Sequence, residues 1–418
     1  MPALQAKFHW LEEAPLAGAY TMAPHPELTP NALVAGEYQP QLEKYLEDRV
    51  GFRTWLIRMR DQLSLSLLGV ARSTDLLVGR DNVLFQPLPV NAYLGKNFLG
   101  EEEIRYRVRR MRIVQQELTK RGIPFLFVMA PNKARYQPED LPAYLRHVKR
   151  GPTNYDIFIR EMQANKINLL DLSRLFALWK DTTRYPLFPR GGTHWSGYGV
   201  ALVADTLFAR VEQVGGFDLV NFRREGPVKV TSDSVQGTDN DLSGPMNLMF
   251  PYQHYKMAYP RVIFDSLQAG QQRPNLLISG DSFVWGFMHF DPYLQTLFTP
   301  ESRFWGVDET VFIYDTHFTR TGEDLNQGDF RQQIEPRQFI MMLVTEHNLI
   351  YGRFIDRLYE LYHPLTEADN SKIKVIEQQL MSQPGYSDSL WARANRENRG
   401  FEEVLQGEAR TIYDHTER

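Results

Sequence analysis

Five short apolar runs constrain this chain more than any other feature: residues 124–130, 167–172, 275–279, 310–314 and 338–344. Each is too short for a buried helix and too continuous for a strand with one wet face, so each reads as a strand covered on both sides. Helical patterns lie between them. Residues 101–122 carry an apolar stripe at Ile104, Val108, Met111, Val114 and Leu118 and stop at Gly122, and 155–164 delivers the chain into the second run. Strands that alternate with helices predict an α/β chain built on a doubly wound parallel sheet.

The flanks obey other rules. Residues 15–30 are rich in Pro and small side chains and read as an extended arm. From 38 to 68 the positions Leu42, Tyr45, Leu46, Phe52, Leu56, Met59, Leu63 and Leu67 recur at three- and four-residue steps, as in a pair of amphipathic helices. Two apolar runs around Gly79-Arg80-Asp81-Asn82 form a β-hairpin signal. The expected organisation is an N-terminal arm, helices and hairpin over 1–100, and a catalytic domain over 101–366. That domain carries an insertion of short β pieces at about 215–273, and a charged helical tail follows over 367–418.

Composition removes several classes of function. With Lys+Arg 47 against Asp+Glu 51, the net charge of −4 offers no global field to gather nucleic acid. There is no cysteine, so a thiol nucleophile, a cysteine-ligated metal and a disulfide framework are excluded; that absence fits an extracytoplasmic enzyme. The ten histidines are scattered, without metal-ligand spacing, and no phosphate loop or dinucleotide fingerprint occurs. Residues 1–16 lack the apolar core of a signal peptide, and no run of about 18 apolar residues appears. The expectation is cofactor-free, metal-free chemistry, with any export signal or anchor lying outside the chain.

The run at 275–279 leads directly into Gly280-Asp281-Ser282. A serine at the carboxyl end of a parallel strand sits where helix N-termini point free N–H groups, so Ser282 can act as a nucleophile whose own N–H helps stabilise an oxyanion; it also reads as a plain helix N-cap. A serine needs a base. His194, in Gly191-Gly192-Thr193-His194-Trp195, opens a helix from a glycine-flanked loop and is the best-placed histidine, with Trp195 able to shelter its ring. His317, in Asp315-Thr316-His317, is the rival. Trp195, Trp285 and Tyr198 offer rings for stacking on sugars, and Lys133, at a strand end, could meet an anionic one.

Thr193-His194-Trp195 followed by Gly280-Asp281-Ser282-Phe283 resembles the SGNH-like domains of bacterial alginate O-acetyltransferases and related exopolysaccharide-acetylating proteins. Further matches are Val78-Gly79-Arg80-Asp81 with Leu84-Phe85, Pro131-Asn132-Lys133 with Tyr136 and Pro138-Glu139, and Asp241-Leu242. The resemblance spans about residues 40–365. It implies an SGNH hydrolase-like sheet, circularly permuted because His194 precedes Ser282, and serine-dependent O-acetyl transfer to a cell-surface or secreted polysaccharide through an acetyl-serine. The partners implied are a polysaccharide acceptor and an acetyl donor, the latter delivered by a membrane-bound acyltransferase, in the periplasm or another extracytoplasmic space. Carbohydrate acetylesterase and non-catalytic polysaccharide binder are the alternatives. The same pattern suggests Asn348, after the last strand, as an oxyanion-hole donor. One departure matters: the alginate enzymes carry an aspartate two positions before the histidine, where this chain has Gly192. The expected substitutes are Asp241 and Asp239, with a Ser-His dyad as the other solution.

Overall fold

Phe125–Ala130, Leu276–Gly280 and Phe339–Thr345 are buried at every residue, as strands covered on both faces must be. In the computed structural model, which describes residues 2–18, 21–73, 75–225, 228–317, 319–323, 330–397 and 400–417, they are the centre of one sheet. In chain order the strands are β1 (Leu77–Val78), β2 (Leu84–Phe85), β3 (Phe125–Ala130), β4 (Leu169–Asp171), β5 (Phe222–Arg224), β6 (Lys229–Thr231), β7 (Met257–Tyr259), β8 (Val262–Phe264), β9 (Leu276–Gly280), β10 (Arg303–Gly306), β11 (Val311–Phe312) and β12 (Phe339–Thr345). The six-stranded sheet runs β11-β10-β9-β12-β3-β4. All of its pairs are parallel except β10 with β11.

The alternation along β12 shows how the two cores form. Phe339, Met341 and Leu343 join Leu126, Val128, Leu276 and Ile278 on one face, under Val200, Val203, Leu207 and Val211 of the Gly197–Gly215 helix. Ile340, Met342 and Val344 join Phe125, Phe127 and Leu277 on the other, under the Glu101–Lys120, Asn154–Ala164 and Arg353–Tyr362 helices. Helices on both faces of a mostly parallel sheet make the doubly wound α/β architecture the sequence predicts.

One strand assignment changes. The parallel neighbour of the serine strand is Arg303–Gly306, whereas 310–314 contributes only β11, antiparallel at the sheet's edge. Arg303–Gly306 is four residues long and begins with a charge, so its two buried aromatics, Phe304 and Trp305, carry no run long enough to read as a strand.

The hairpin forms as β1–β2, with Leu77 opposite Phe85. The insertion folds into two small antiparallel pairs, β5–β8 and β6–β7, and a 3₁₀ turn at Gly237–Asn240. The tail is three helices, Glu367–Ser382, Tyr386–Glu397 and Phe401–Glu417, around a separate cluster that includes Ile373, Leu380, Leu405 and Tyr413. It docks on the Glu101–Lys120 helix, where buried Arg110 reaches Asp356 and Asp414, each at 2.8 Å. Among the described residues, no helix is long and apolar enough to cross a membrane.

Candidate active site

β9, β12 and β3 end side by side, Gly280 opposite Leu343 and Thr345 opposite Ala130, so the residues after them share one edge of the sheet. Gly280 is required there: a Cβ would sit 2.3 Å from the Leu343 carbonyl oxygen. Asp281 then fastens the next turn. One of its carboxylate oxygens accepts Phe283 N–H at 3.1 Å, capping the 3₁₀ turn Ser282–Trp285. The other accepts from Thr345 N (2.7 Å), Thr345 Oγ1 (2.6 Å) and Asn348 Nδ2 (2.7 Å). Ser282 is thereby presented, exposed, at the mouth of the sheet edge.

The opposite wall is built from loops. His194 Nε2 stands 2.7 Å from Ser282 Oγ. Its Nδ1 is bonded to Asp241 Oδ2, and the other Asp241 oxygen accepts Thr193 N–H at 2.9 Å, so one carboxylate grips both the ring and the backbone beside it. An acceptor at Nδ1 places the ring's proton there and leaves the Nε2 lone pair for the serine hydroxyl. Gly191 O accepts Leu242 N–H and Ser243 N–H, lacing the two loops together. A side chain at Gly192 would meet Thr238 O at 2.5 Å and Asp241 Oδ1 at 3.0 Å; the incoming turn occupies the room an aspartate at 192 would need. Phe283 packs on the His194 ring, centroids 4.9 Å apart, tying that ring to the turn that carries Ser282.

A family model described as SGNH hydrolase-like domain, acetyltransferase AlgX, matches residues 76–301, more than half of the 418-residue chain. The chain belongs to this family. Ser282, His194 and Asp241 all lie inside the AlgX-type span. The probable alginate O-acetylase AlgJ of Pseudomonas aeruginosa is 29% identical over 152 residues, a match covering 34% of each protein, so the chain spans about a third of that curated relative's length. Among solved structures, the O-acetyltransferase domain of Pseudomonas putida AlgJ aligns at 18% identity over 68% of this chain and 98% of that one, TM-score 0.43. Pseudomonas aeruginosa AlgX aligns at 13% identity over 68% of this chain and 67% of that one, also at 0.43.

Several expected roles move. Lys133 does not face a ligand. It is 2% exposed, and its ammonium donates to the carbonyls of Leu84 (2.8 Å), Pro189 (2.7 Å), Gly192 (2.7 Å) and Arg190 (3.2 Å). Burial pulls its pKa down to about 7, against the pull of Asp241, Asp140 and Asp239. Its work is to hold the histidine loop. Trp195 is fully buried among Phe176, Phe283 and Phe287, and Trp285 packs on Phe304 and Phe312, so neither ring faces a sugar. Asn348 spends its amide hydrogens on Asp281 and Thr345, which leaves none for an oxyanion.

Asp239 is turned away from His194 and bonds the Tyr259 hydroxyl at 2.6 Å. Burial raises its carboxyl to about 7, with Tyr259 opposing and the Asp241 charge adding. His317 is exposed, and Asp315 accepts backbone N–H groups of His317 and Thr319 at 3.1 Å each; the pair forms a turn, not an acid–imidazole couple. Among the described residues, no group of three or more acidic or histidine side chains could hold a metal ion.

Proposed function

We propose that this protein transfers acetyl groups to hydroxyls of a polysaccharide through an acetyl-Ser282 intermediate, outside the cytoplasm. The observation that carries the reading is the unbroken chain Asp241–His194–Ser282 at the carboxyl edge of the sheet. Ser282 Oγ attacks the acetyl carbonyl while His194 Nε2 takes its proton, and Asp241 stabilises the imidazolium. The Ser282 N–H, at the first turn after β9, supports the oxyanion. His194 returns the proton to the leaving group, then takes one from the acceptor hydroxyl as that oxygen attacks the acetyl-serine, and gives it to Ser282 Oγ as the ester bond to serine breaks. A non-catalytic role drew its support from Gly192, and Asp241 supplies the acid that position lacks. Lack of cysteine and the kinship with alginate O-acetylases favour an extracytoplasmic setting, with acetyl groups handed over by a membrane-bound acyltransferase.

Intact-protein mass after incubation with p-nitrophenyl acetate tests this. One added acetyl group should appear on wild type and be absent from Ser282→Ala and His194→Ala. Adding alginate oligosaccharide should discharge that acetyl onto sugar faster than water does. Discharge to water alone would make the protein an esterase, and no acetylation under any donor would remove the enzyme reading.

A further inference from the structure

His347 stands at the same sheet edge as Ser282, outside the acid–histidine–serine chain. Thr345, which ends β12, has a single hydroxyl hydrogen, and Asp281 Oδ2 takes it at 2.6 Å. Thr345 Oγ1 lies 3.0 Å from His347 Nδ1 and can therefore only accept from it. This relay fixes the proton of a neutral His347 on Nδ1 and leaves Nε2 with an open lone pair.

The segment is held on both sides. Glu346 is gripped by Arg135 Nε at 2.9 Å and Asn132 Nδ2 at 3.1 Å, and Asn348 by Asp281 at 2.7 Å. The ring is partly buried, and burial lowers its pKa, with Asp281 and Glu346 opposing and the charge of His194 adding to the effect. Asp281, the residue before the nucleophile, orients the His347 ring through Thr345, while Asp241 orients that of His194 directly.

We propose that His347 forms a hydroxyl-binding subsite beside Ser282, its Nε2 accepting a hydrogen bond from a second hydroxyl of the acceptor sugar while the neighbouring hydroxyl attacks the acetyl-serine. This rests on the acetyl-Ser282 reading. The ligand class is a pyranose with vicinal hydroxyls, and His347 is a positioning group: His194 still takes the reacting proton, and no bond is made or broken at His347.

The test charges the enzyme with p-nitrophenyl acetate and offers water, methanol or alginate oligosaccharide as acceptor. His347→Ala should lower transfer to oligosaccharide about tenfold, the worth of one hydrogen bond, and lower p-nitrophenol release, hydrolysis and transfer to methanol by much less. His347→Gln, whose Oε1 can stand near the place of Nε2, should restore most of the sugar transfer. Equal losses for all three acceptors in both variants, or no loss for any, would overturn the subsite. Failure of wild type to form acetyl-Ser282 at all would instead sink the proposed function beneath it.

Discussion

The two walls of the site are held by different physics. The nucleophile wall hangs on strand ends: Gly280, Asp281 and Thr345 follow from the register of β9 against β12, and Asp281 closes the pair with three hydrogen bonds. The His194 wall does not continue a strand of the six-stranded sheet. His194 and Asp241 are 47 positions apart, on a loop and a turn of the insertion, and are joined through Thr193 N–H, Gly191 O and the buried ammonium of Lys133. A strand end fixes a residue by ladder geometry, whereas a loop must be fixed by side chains and electrostatics. Perturbation should therefore fall mainly on the base wall.

The largest effect is expected from Asp241→Asn. The amide cannot stabilise an imidazolium and favours the wrong tautomer, so p-nitrophenyl acetate turnover should fall about 10²–10⁴-fold. Asp239→Asn should leave turnover nearly unchanged, because that carboxyl faces Tyr259. Equal losses in the two variants would mean the wall depends on the turn as a whole and not on one carboxylate.

Lys133→Met comes next. It strips the donor from buried carbonyls of Leu84, Pro189 and Gly192, at a cost of at least about 3 kcal/mol in all. The freed histidine loop should also cost about 10²-fold in turnover, since small misplacements of a catalytic group are expensive. Urea unfolding and turnover of the still-folded protein measure the two losses separately. A stability loss without an activity loss would show that the loop is held by its other bonds.

Gly192→Ala probes the contact between loop and turn. Its Cβ would press on Thr238 O, and the expected cost is about 1–3 kcal/mol of stability, read as a lowered urea midpoint. An unchanged midpoint would show that the 238–241 turn can retreat freely, and would weaken the account of why glycine stands at this position.

The same division explains what could be read from the sequence. The placement of Ser282 was legible because an apolar strand followed by Gly-Asp-Ser dictates a turn at a sheet edge, and the Thr-His-Trp loop singled out His194, which stands 2.7 Å from it, by its resemblance to a known family. Asp241 was reached only as one of two neighbouring aspartates, because periodicity does not say which of them turns toward the loop. Lys133, Trp195 and Asn348 were read as ligand contacts for a related reason. Their chemistry fits ligand binding, and only the fold shows that carbonyls, phenyl rings and Asp281 already occupy them. His347 carried no signal of its own beyond following the last strand, because its relay to Asp281 exists only once β9 and β12 pair.

The smallest effect separates the two aspartates of the turn by stability instead of activity. Asp239 is fully buried, and desolvation raises its carboxyl from 3.8 to about 7. A folded-state pKa above the unfolded value means the folded protein binds that proton more tightly. The associated stability is complete below the unfolded pKa and is lost as pH rises toward and through about 7. Wild type should lose thermal stability across that window. Asp239→Asn keeps a neutral side chain that can still accept from the Tyr259 hydroxyl, so it should flatten this component and gain on wild type as pH rises from 5 to 8. Melting temperatures of the two proteins at matched ionic strength measure it. Parallel curves would place the proton elsewhere and leave Asp239 ionised in the folded state, where the charge of Lys133 would have to sustain it.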